Sequence, residues 1–203
     1  MLPDFNDRNV SRETTEKLIL YTKLLERWNK HINLIGSGTT DKIWDRHIVD
    51  GLNVIRASKT KRSWYDIGSG GGIPGVIVAV ILGKTRSVSL VESDGRKCAF
   101  LRNVRRELGI DFAVINDRVE NLSVDNAGTI SARALAPLWK LLEMTGEIRT
   151  ERTEFLFFKG RNWAEEVGTA RQGWEFALEM LPSPTAEVPI LRLTNVRQKQ
   201  NAS

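Results

Sequence analysis

The sequence contains very little cysteine and histidine, and it lacks a long apolar segment. Of its 203 residues one is cysteine, Cys98, and two are histidine. A single cysteine cannot form a disulfide within the chain, so a disulfide framework is excluded and a reducing compartment is expected. No apolar run approaches the length of a membrane span, and the N-terminus shows no basic segment followed by an apolar core. These absences predict a soluble, cytoplasmic protein that does not contact a membrane.

The composition is that of a globular chain with a small excess of positive charge. Apolar residues make up 41% and charged residues 27%, and the formal net charge is +5. Such a balance permits a polyanionic partner without requiring one. The positively charged residues are concentrated in two groups along the sequence, and each group is either a solvated face or a contact for an acidic partner. The groups are Arg96, Lys97, Arg102, Arg105 and Arg106, and Arg192, Arg197 and Lys199.

The stretch S-W-Y-D-I-G-S-G-G-G-I-P-G, residues 63–75, is the strongest local signal. Residues 64–67 suit a short buried strand, the glycines form a tight turn, and residues 76–82 are apolar enough for a buried helix. Backbone can approach a ligand closely where there is no Cβ, and a helix N-terminus offers free N–H groups. The stretch therefore predicts a cradle for a nucleotide-like ligand.

Two interpretations of this turn compete. Gly70, Gly72 and Gly75 fit G-x-G-x-x-G, the dinucleotide fingerprint, which would hold a pyrophosphate. Asp66 with Gly68, Gly70 and Gly72 fits D-x-G-x-G-x-G instead. A carboxylate at the strand end would repel a pyrophosphate and attract the ammonium of an amino-acid ligand such as S-adenosylmethionine. We favour the second interpretation; the remaining alternative is a structural turn without a ligand.

A second acid follows the next predicted strand. Residues 87–91 read as a strand that ends at Glu92, about two dozen residues after the first glycine, where a ribose-binding carboxylate is expected. A carboxylate accepts two hydrogen bonds and can hold both ribose hydroxyls. The alternatives are that Glu92 is an ordinary solvated acid or that Asp94 binds the ribose.

The rest of the chain alternates in a βα rhythm that predicts a mostly parallel sheet with an antiparallel C-terminal strand. We expect one domain, 1–203, with an N-terminal helical layer, 1–60, on an α/β core, 61–203. The predicted helices are 11–34, 41–56, 95–108, 136–146 and 163–172, and the further strands are 111–115, 128–132, 155–158, 174–180 and 189–196. The carboxyl ends of the strands should form the ligand crevice, at Gly68, Glu92, Asp117, Arg133 and Lys159.

Three polar residues interrupt the apolar pattern of the second helix. Arg46 and His47 are adjacent, and Asp50 lies three or four residues further on. They form either an intrahelical ion pair with a hydrogen-bonded histidine or part of a substrate-binding face. The sequence alone leaves both open.

Seven short motifs in order give a family resemblance. They are W-N-K-x-x-N-L (28–34), R-H-I-x-D (46–50), D-I-G-S-G-G-G-I-P-G (66–75), F-L-R-x-V-x-x-E-L (100–108), R-V-E (118–120), R-A-x-A (133–136) and K-G (159–160). The chain resembles the bacterial 16S ribosomal RNA guanine-N7 methyltransferases, also called the glucose-inhibited division protein B family. It departs at Gly51 and Ala132, where serine is usual in the family.

The resemblance implies a class I, Rossmann-like methyltransferase fold that binds S-adenosylmethionine without a metal. The implied target is a guanine N7 in the decoding-centre loop of 16S ribosomal RNA, in the free RNA or the small subunit, with the enzyme a monomer. The implied cofactor residues are Asp66, Gly68, Gly70, Gly72, Ile73, Glu92 for the ribose, Val119 and Glu120 for the adenine, and Arg133 near the methyl donor. The candidates for the substrate side or for positioning are Arg133, Lys159, Arg46 and His47, and no general base is expected.

Several alternatives remain. Transfer to cytosine C5 would need a nucleophilic cysteine, and Cys98 lies on the predicted buried face of its helix. An NAD-dependent oxidoreductase would need a proton donor near the nicotinamide, and both histidines lie in the N-terminal helices. A small-molecule methyltransferase and a non-catalytic RNA-binding protein with the same fold are the nearest competitors.

Overall fold

The computed structural model describes residues 11–36, 44–124, 127–182 and 189–199. Its six α-helices are α1 (Arg12–Asn29), α2 (Val49–Ala57), α3 (Gly75–Leu82), α4 (Gly95–Leu108), α5 (Leu138–Met144) and α6 (Trp163–Gly173). Its strands are β1 (Trp64–Ile67), β2 (Val88–Val91), β3 (Ala113–Ile115), β4 (Thr129–Arg133), β5 (Glu154–Phe158), β6 (Trp174–Leu181) and β7 (Ile190–Gln198). A π-helical turn, Trp44–Ile48, precedes α2, and a 3₁₀ turn, Val119–Asn121, follows β3.

The strands form one seven-stranded sheet in the order β3-β2-β1-β4-β5-β7-β6. The first five strands in this order run parallel to one another, and β7 is antiparallel to both β5 and β6. The strand order reverses direction between β1 and β4, so a crevice opens at their carboxyl ends. The predicted α/β class, the mostly parallel sheet and the antiparallel C-terminal strand are confirmed.

Alternating side chains of the sheet face two helical layers. One apolar cluster joins α1, α2, α3 and α4 to residues such as Trp64, Leu90 and Leu156. The other joins α5 and α6 to residues such as Ile130 and Phe155. The N-terminal helices therefore share a core with the sheet, which fixes them beside the crevice. None of the described helices has the length and apolar character that a membrane crossing requires.

The first helix is shorter than its apolar periodicity predicts. Ser11 caps α1 by accepting the Thr14 N–H, but the helix ends at Asn29 and not at residue 34. The Asn29 side-chain oxygen accepts the backbone N–H groups of Leu34 and Ile35, at 2.8 and 3.0 Å. This competition with the helical bonds turns the chain toward the crevice. The predicted start of the second helix, at residue 41, lies outside the described residues.

The departure at Gly51 has a packing cause. A Cβ built on Gly51 would lie 2.5 Å from the Ile77 Cδ1, so α2 and α3 approach each other closely at this point. A larger side chain would require Ile77 to move. The glycine thus keeps the helical layer tight against the helix that follows the glycine turn.

Two of the three C-terminal cations, Arg192 and Arg197, form ion pairs. Arg192 pairs with the buried Glu154 at 2.7 Å, and Arg197 pairs with the exposed Glu151 at 3.1 Å. Glu154 also accepts the Lys59 N–H, which ties the end of α2 to the start of β5. These contacts favour a structural role for the C-terminal cluster over a contact for an acidic partner.

Candidate active site

The glycine turn after β1 leaves open space where a side chain would otherwise lie. Gly70 has a φ of 51°, and a Cβ built on it would have no neighbour closer than 3.8 Å. Gly68 has a φ of 62°, and its Cβ would lie 2.5 Å from the Leu135 Cδ1. Gly72 serves packing, because a Cβ there would collide with Val76. The room above Gly70 suits a ligand, whereas Gly72 does not line the cavity that this turn borders.

Asp66 is fully buried beneath the turn. Its carboxylate accepts the Ser131 hydroxyl at 2.6 Å and the Gly75 N–H at 3.2 Å. Ser131 in turn accepts the Trp64 indole N–H at 2.8 Å. The carboxylate therefore joins β1, β4 and α3, and Asp66 does not border the cavity beside the turn. Its contact with a ligand's ammonium stays a prediction. Burial raises the pKa of Asp66 to about 7.

Asp66 should make folding stability fall as pH rises from about 4 to about 7. In that window the unfolded chain releases the proton while the buried carboxyl retains it, so the folded state loses stability. Asp66→Asn imitates the protonated acid and should remove this effect. We expect the unfolding free energy of the variant, relative to the parent, to rise by roughly 2–4 kcal/mol between pH 4 and pH 8. Urea titrations at several pH values measure it, and a constant difference would contradict the account.

Glu92 bridges the turn and the loop after β2. Its two carboxylate oxygens accept the Gly70 N–H at 2.9 Å and the Asp94 N–H at 2.8 Å. The residue is 7% exposed and borders two cavities. Each oxygen keeps a further lone pair for a ligand hydroxyl. Asp94, the competing acid, instead caps α4 by accepting the Arg96 N–H.

Three cavities adjoin at the carboxyl ends of the strands. The turn cavity, about 500 Å³, is bordered by residues including Gly68, Gly70, Ile73, His47, Glu92 and Arg133. The Val119 cavity, about 150 Å³, is bordered by residues including Gly68, Glu92, Asp117, Val119 and Glu120. The Lys159 cavity, about 450 Å³, is bordered by residues including Asp50, Arg133, Leu135, Phe158, Lys159 and Glu166. Leu135 borders all three, and Arg133 and Ala134 border both the turn cavity and the Lys159 cavity.

Arg133 stands at this boundary with an acidic partner. Its guanidinium lies 3.8 Å from the Asp50 carboxylate and 5.6 Å from the Phe158 ring centroid. Asp50 therefore has a partner on β4. His47 is buried and borders the turn cavity. Arg46 lies in the π-helical turn, but its side chain is outside the described residues.

Lys159 is held by two contacts inside the protein. Its ammonium pairs with the Glu166 carboxylate at 2.6 Å and donates to the Ala136 carbonyl at 2.7 Å, with its side chain 5% exposed. The same Glu166 oxygen accepts the Leu138 N–H at 2.8 Å. Lys159 and Glu166 therefore hold the segment between β4 and α5 through its backbone, at the Ala136 carbonyl and the Leu138 N–H. Sequence reasoning placed Lys159 at the site but missed Glu166, because no motif links the two residues.

Other cavity residues were also missed. Leu34, Ile35 and Gly36 border the turn cavity because Asn29 turns the chain after α1, and Ser93 and Lys97 border it from the loop and helix after β2. Leu135 lies within the motif R-A-L-A, residues 133–136, which is the sequence signal that could have indicated it. Ala134, directly before it, has a φ of 50°. Cys98 is buried, donates to the Glu92 carbonyl, and has a pKa raised by burial, all of which fit an inert packing role. The described residues include no group of three or more histidine, cysteine or acidic side chains that could hold a metal.

The seven-stranded sheet, with its glycine turn after β1, has the fold of the S-adenosylmethionine-dependent methyltransferase class. A solved structure of the same fold is a putative methyltransferase of this kind from Methanococcus maripaludis, with TM-score 0.59 and 12% identity over 97% of this chain and 99% of that one.

Sequence comparison identifies the particular family. Residues 14–187 match the family model GidB, rRNA small subunit methyltransferase G. A protein named ribosomal RNA small subunit methyltransferase G from Ruegeria sp. (strain TM1040) is 43% identical over 87% of this chain and 88% of its own length. A protein of the same name from Ruegeria pomeroyi is 39% identical over 97% of this chain and 98% of its own. The chain belongs to this family, as the seven motifs predicted.

Proposed function

We propose that this chain transfers a methyl group from S-adenosylmethionine to N7 of a guanine in the decoding-centre loop of 16S ribosomal RNA. The observation that carries the proposal is the meeting of two cavities at Arg133, one beside the glycine turn and one beside Lys159. A donor in the first cavity and a base in the second would face each other there. Family membership supports ribosomal RNA as the source of the base.

The residues of the turn cavity fit S-adenosylmethionine. The open space above Gly70 admits the ligand, and the spare lone pairs of Glu92 suit the two ribose hydroxyls. The adjoining cavity at Val119 and Glu120 offers an apolar wall and an acceptor for the adenine. Gly68 and Ile73 complete the border of the turn cavity, while Asp66 and Gly72 act beneath it by holding the turn's shape.

The chemistry asks little of the protein beyond alignment. Guanine N7 has a free lone pair and carries no proton, so no general base is needed. The bound sulfonium supplies an activated methyl group. The protein's part is to hold N7 in line with that methyl and to exclude water. This fits a site that is bordered by glycines and apolar residues and that has the Arg133 guanidinium between two of its cavities.

The substrate side centres on Arg133, with His47 and Arg46 on the adjoining helical layer. An arginine can meet guanine O6 or a phosphate. The pairing with Asp50 fixes the direction of the Arg133 guanidinium. Lys159 takes a positioning role in this proposal, because both of its contacts are within the protein and fasten the segment after Arg133.

The setting follows from the substrate. A ribosomal RNA target places the reaction in the cytoplasm, on the free RNA or the small subunit. The shared core of the helical layer and the sheet supports one domain. The large apolar side chains that are exposed among the described residues lie on separate elements, namely Leu20, Leu135, Trp139 and Met180, which supports a monomer.

The test is methyl transfer from labelled S-adenosylmethionine to small-subunit RNA and particles from a strain lacking the protein. We expect label in small-subunit RNA and none in large-subunit RNA. A small-molecule methyltransferase would label neither and would show no salt-dependent RNA binding. A non-catalytic RNA-binding protein would bind the RNA and leave it unlabelled.

A further inference from the structure

The Lys159 cavity has the shape and chemistry of a pocket for a nucleobase. Its volume is about 450 Å³, and Leu135, Pro137 and Phe158 supply apolar wall on which a base can stack. Polar groups occupy two separate parts of its border. Arg133 lies where it adjoins the turn cavity, and Glu166 lies beside Lys159.

Glu166 presents an oriented acceptor to this cavity. Its Oε2 receives both the Lys159 ammonium and the Leu138 N–H, at 2.6 and 2.8 Å. Two donors on one oxygen fix the plane of the carboxylate and leave the lone pairs of Oε1 for another donor. The side chain is 26% exposed and borders the cavity. Oε1 is therefore an acceptor whose position the protein has set in advance.

A guanine has the complementary donors on the edge away from N7. Its Watson–Crick edge carries the N1–H and the 2-amino group, whereas adenine has an acceptor at N1 and no 2-amino group. A carboxylate accepts and does not donate, so it favours guanine over adenine. With N7 at the Arg133 boundary, the 2-amino edge points into the part of the cavity that holds Glu166.

We propose that the Lys159 cavity is the pocket for the target guanine and that Glu166 Oε1 accepts a hydrogen bond from its 2-amino group. Glu166 is thereby a specificity-determining residue. This inference rests on the proposed function and adds the group that selects guanine. Lys159 acts through Glu166 by holding Oε2.

Glu166→Gln gives a directional test. Lys159 and Leu138 both need an acceptor at the Oε2 position, so the amide oxygen takes that place and the NH₂ group replaces Oε1. The variant then places its side-chain NH₂ donor against the 2-amino donor of guanine, and two donors cannot form a hydrogen bond with each other. Inosine, which lacks only the 2-amino group, separates this effect from damage to the fold. The measurement is kcat/KM on small-subunit RNA with guanosine or inosine at the methylated position.

The parent is expected to use inosine about 10- to 100-fold less well than guanosine, the value of a hydrogen bond to a charged group. Glu166→Gln should lose that same factor on guanosine and change by less than threefold on inosine. The neighbouring and exposed Glu165 provides the matched control, and Glu165→Gln should leave both substrates unchanged. S-adenosylmethionine affinity should be equal in all three proteins.

Two results would overturn the inference. A parent that methylates guanosine and inosine equally does not sense the 2-amino group, and this outcome needs no variant to fold. An equal loss on both substrates in Glu166→Gln would give Glu166 a positioning role only. Failure of the parent to methylate guanosine at all would instead contradict the proposed function.

Discussion

Replacing Arg133 with alanine is expected to slow methyl transfer about 100-fold in a single turnover, the scale of a loss of reactant alignment. Arg133 borders both the turn cavity and the Lys159 cavity, so its removal takes away a group between the proposed sites of the methyl donor and the base. Quenched-flow measurement with saturating S-adenosylmethionine and RNA reports the rate directly. A rate equal to that of the parent would show that Arg133 does not position the reacting groups.

The loss of Arg133 also leaves the buried Asp50 carboxylate without the cation 3.8 Å away. The loss of a neighbouring cation destabilises a buried acid, and a less stable fold by itself lowers activity. The double variant Arg133→Ala with Asp50→Asn removes that charge and should recover thermal stability while staying slow. If the double variant regains the parent's rate, Arg133 serves stability and not alignment.

Glu92→Ala should weaken S-adenosylmethionine binding at least tenfold, or about 1.4 kcal/mol. The substitution removes the acceptor that we propose for both ribose hydroxyls, and it releases the Gly70 N–H that the carboxylate accepts at 2.9 Å. Calorimetric titration of the cofactor measures the affinity without any RNA. Glu92→Gln, which keeps one carbonyl oxygen, should bind with intermediate strength.

Asp94 supplies the matched control for the ribose assignment. It is the other acid at this strand end, and asparagine can replace it as the cap of α4. Asp94→Asn should bind S-adenosylmethionine within twofold of the parent. Unchanged affinity in Glu92→Ala together with a large loss in Asp94→Asn would move the ribose site to Asp94.

Local signals in the sequence predicted most of the elements, because each rests on residues close together in the chain. The glycine turn after β1 and the Gly109 end of α4, with a φ of 56°, are set by conformations that few other residues adopt. The βα rhythm predicted the parallel sheet, and the crevice at its carboxyl edge follows from that topology. The same rule predicted that Glu92 and Arg133 lie at the site.

What the sequence did not predict depends on contacts between distant residues. The predicted end of α1 was wrong because the Asn29 side chain competes for backbone N–H groups. The apolar periodicity of a sequence carries no information about such a contact. The hydrogen bond that Asp66 accepts from Ser131, 65 residues away, has no local signal in the sequence. The ion pair of Lys159 with Glu166 likewise joins a strand end to a helix in a way that only the fold specifies.

The most direct test of the central claim is to map the methyl group that this chain adds. Small-subunit particles and free RNA from a strain lacking the protein are incubated with labelled S-adenosylmethionine, and the product is cleaved chemically at N7-methylguanine. The account predicts a single cleavage in the decoding-centre loop of 16S ribosomal RNA, absent without the protein. Label that resists this cleavage, or cleavage outside that loop, would contradict it.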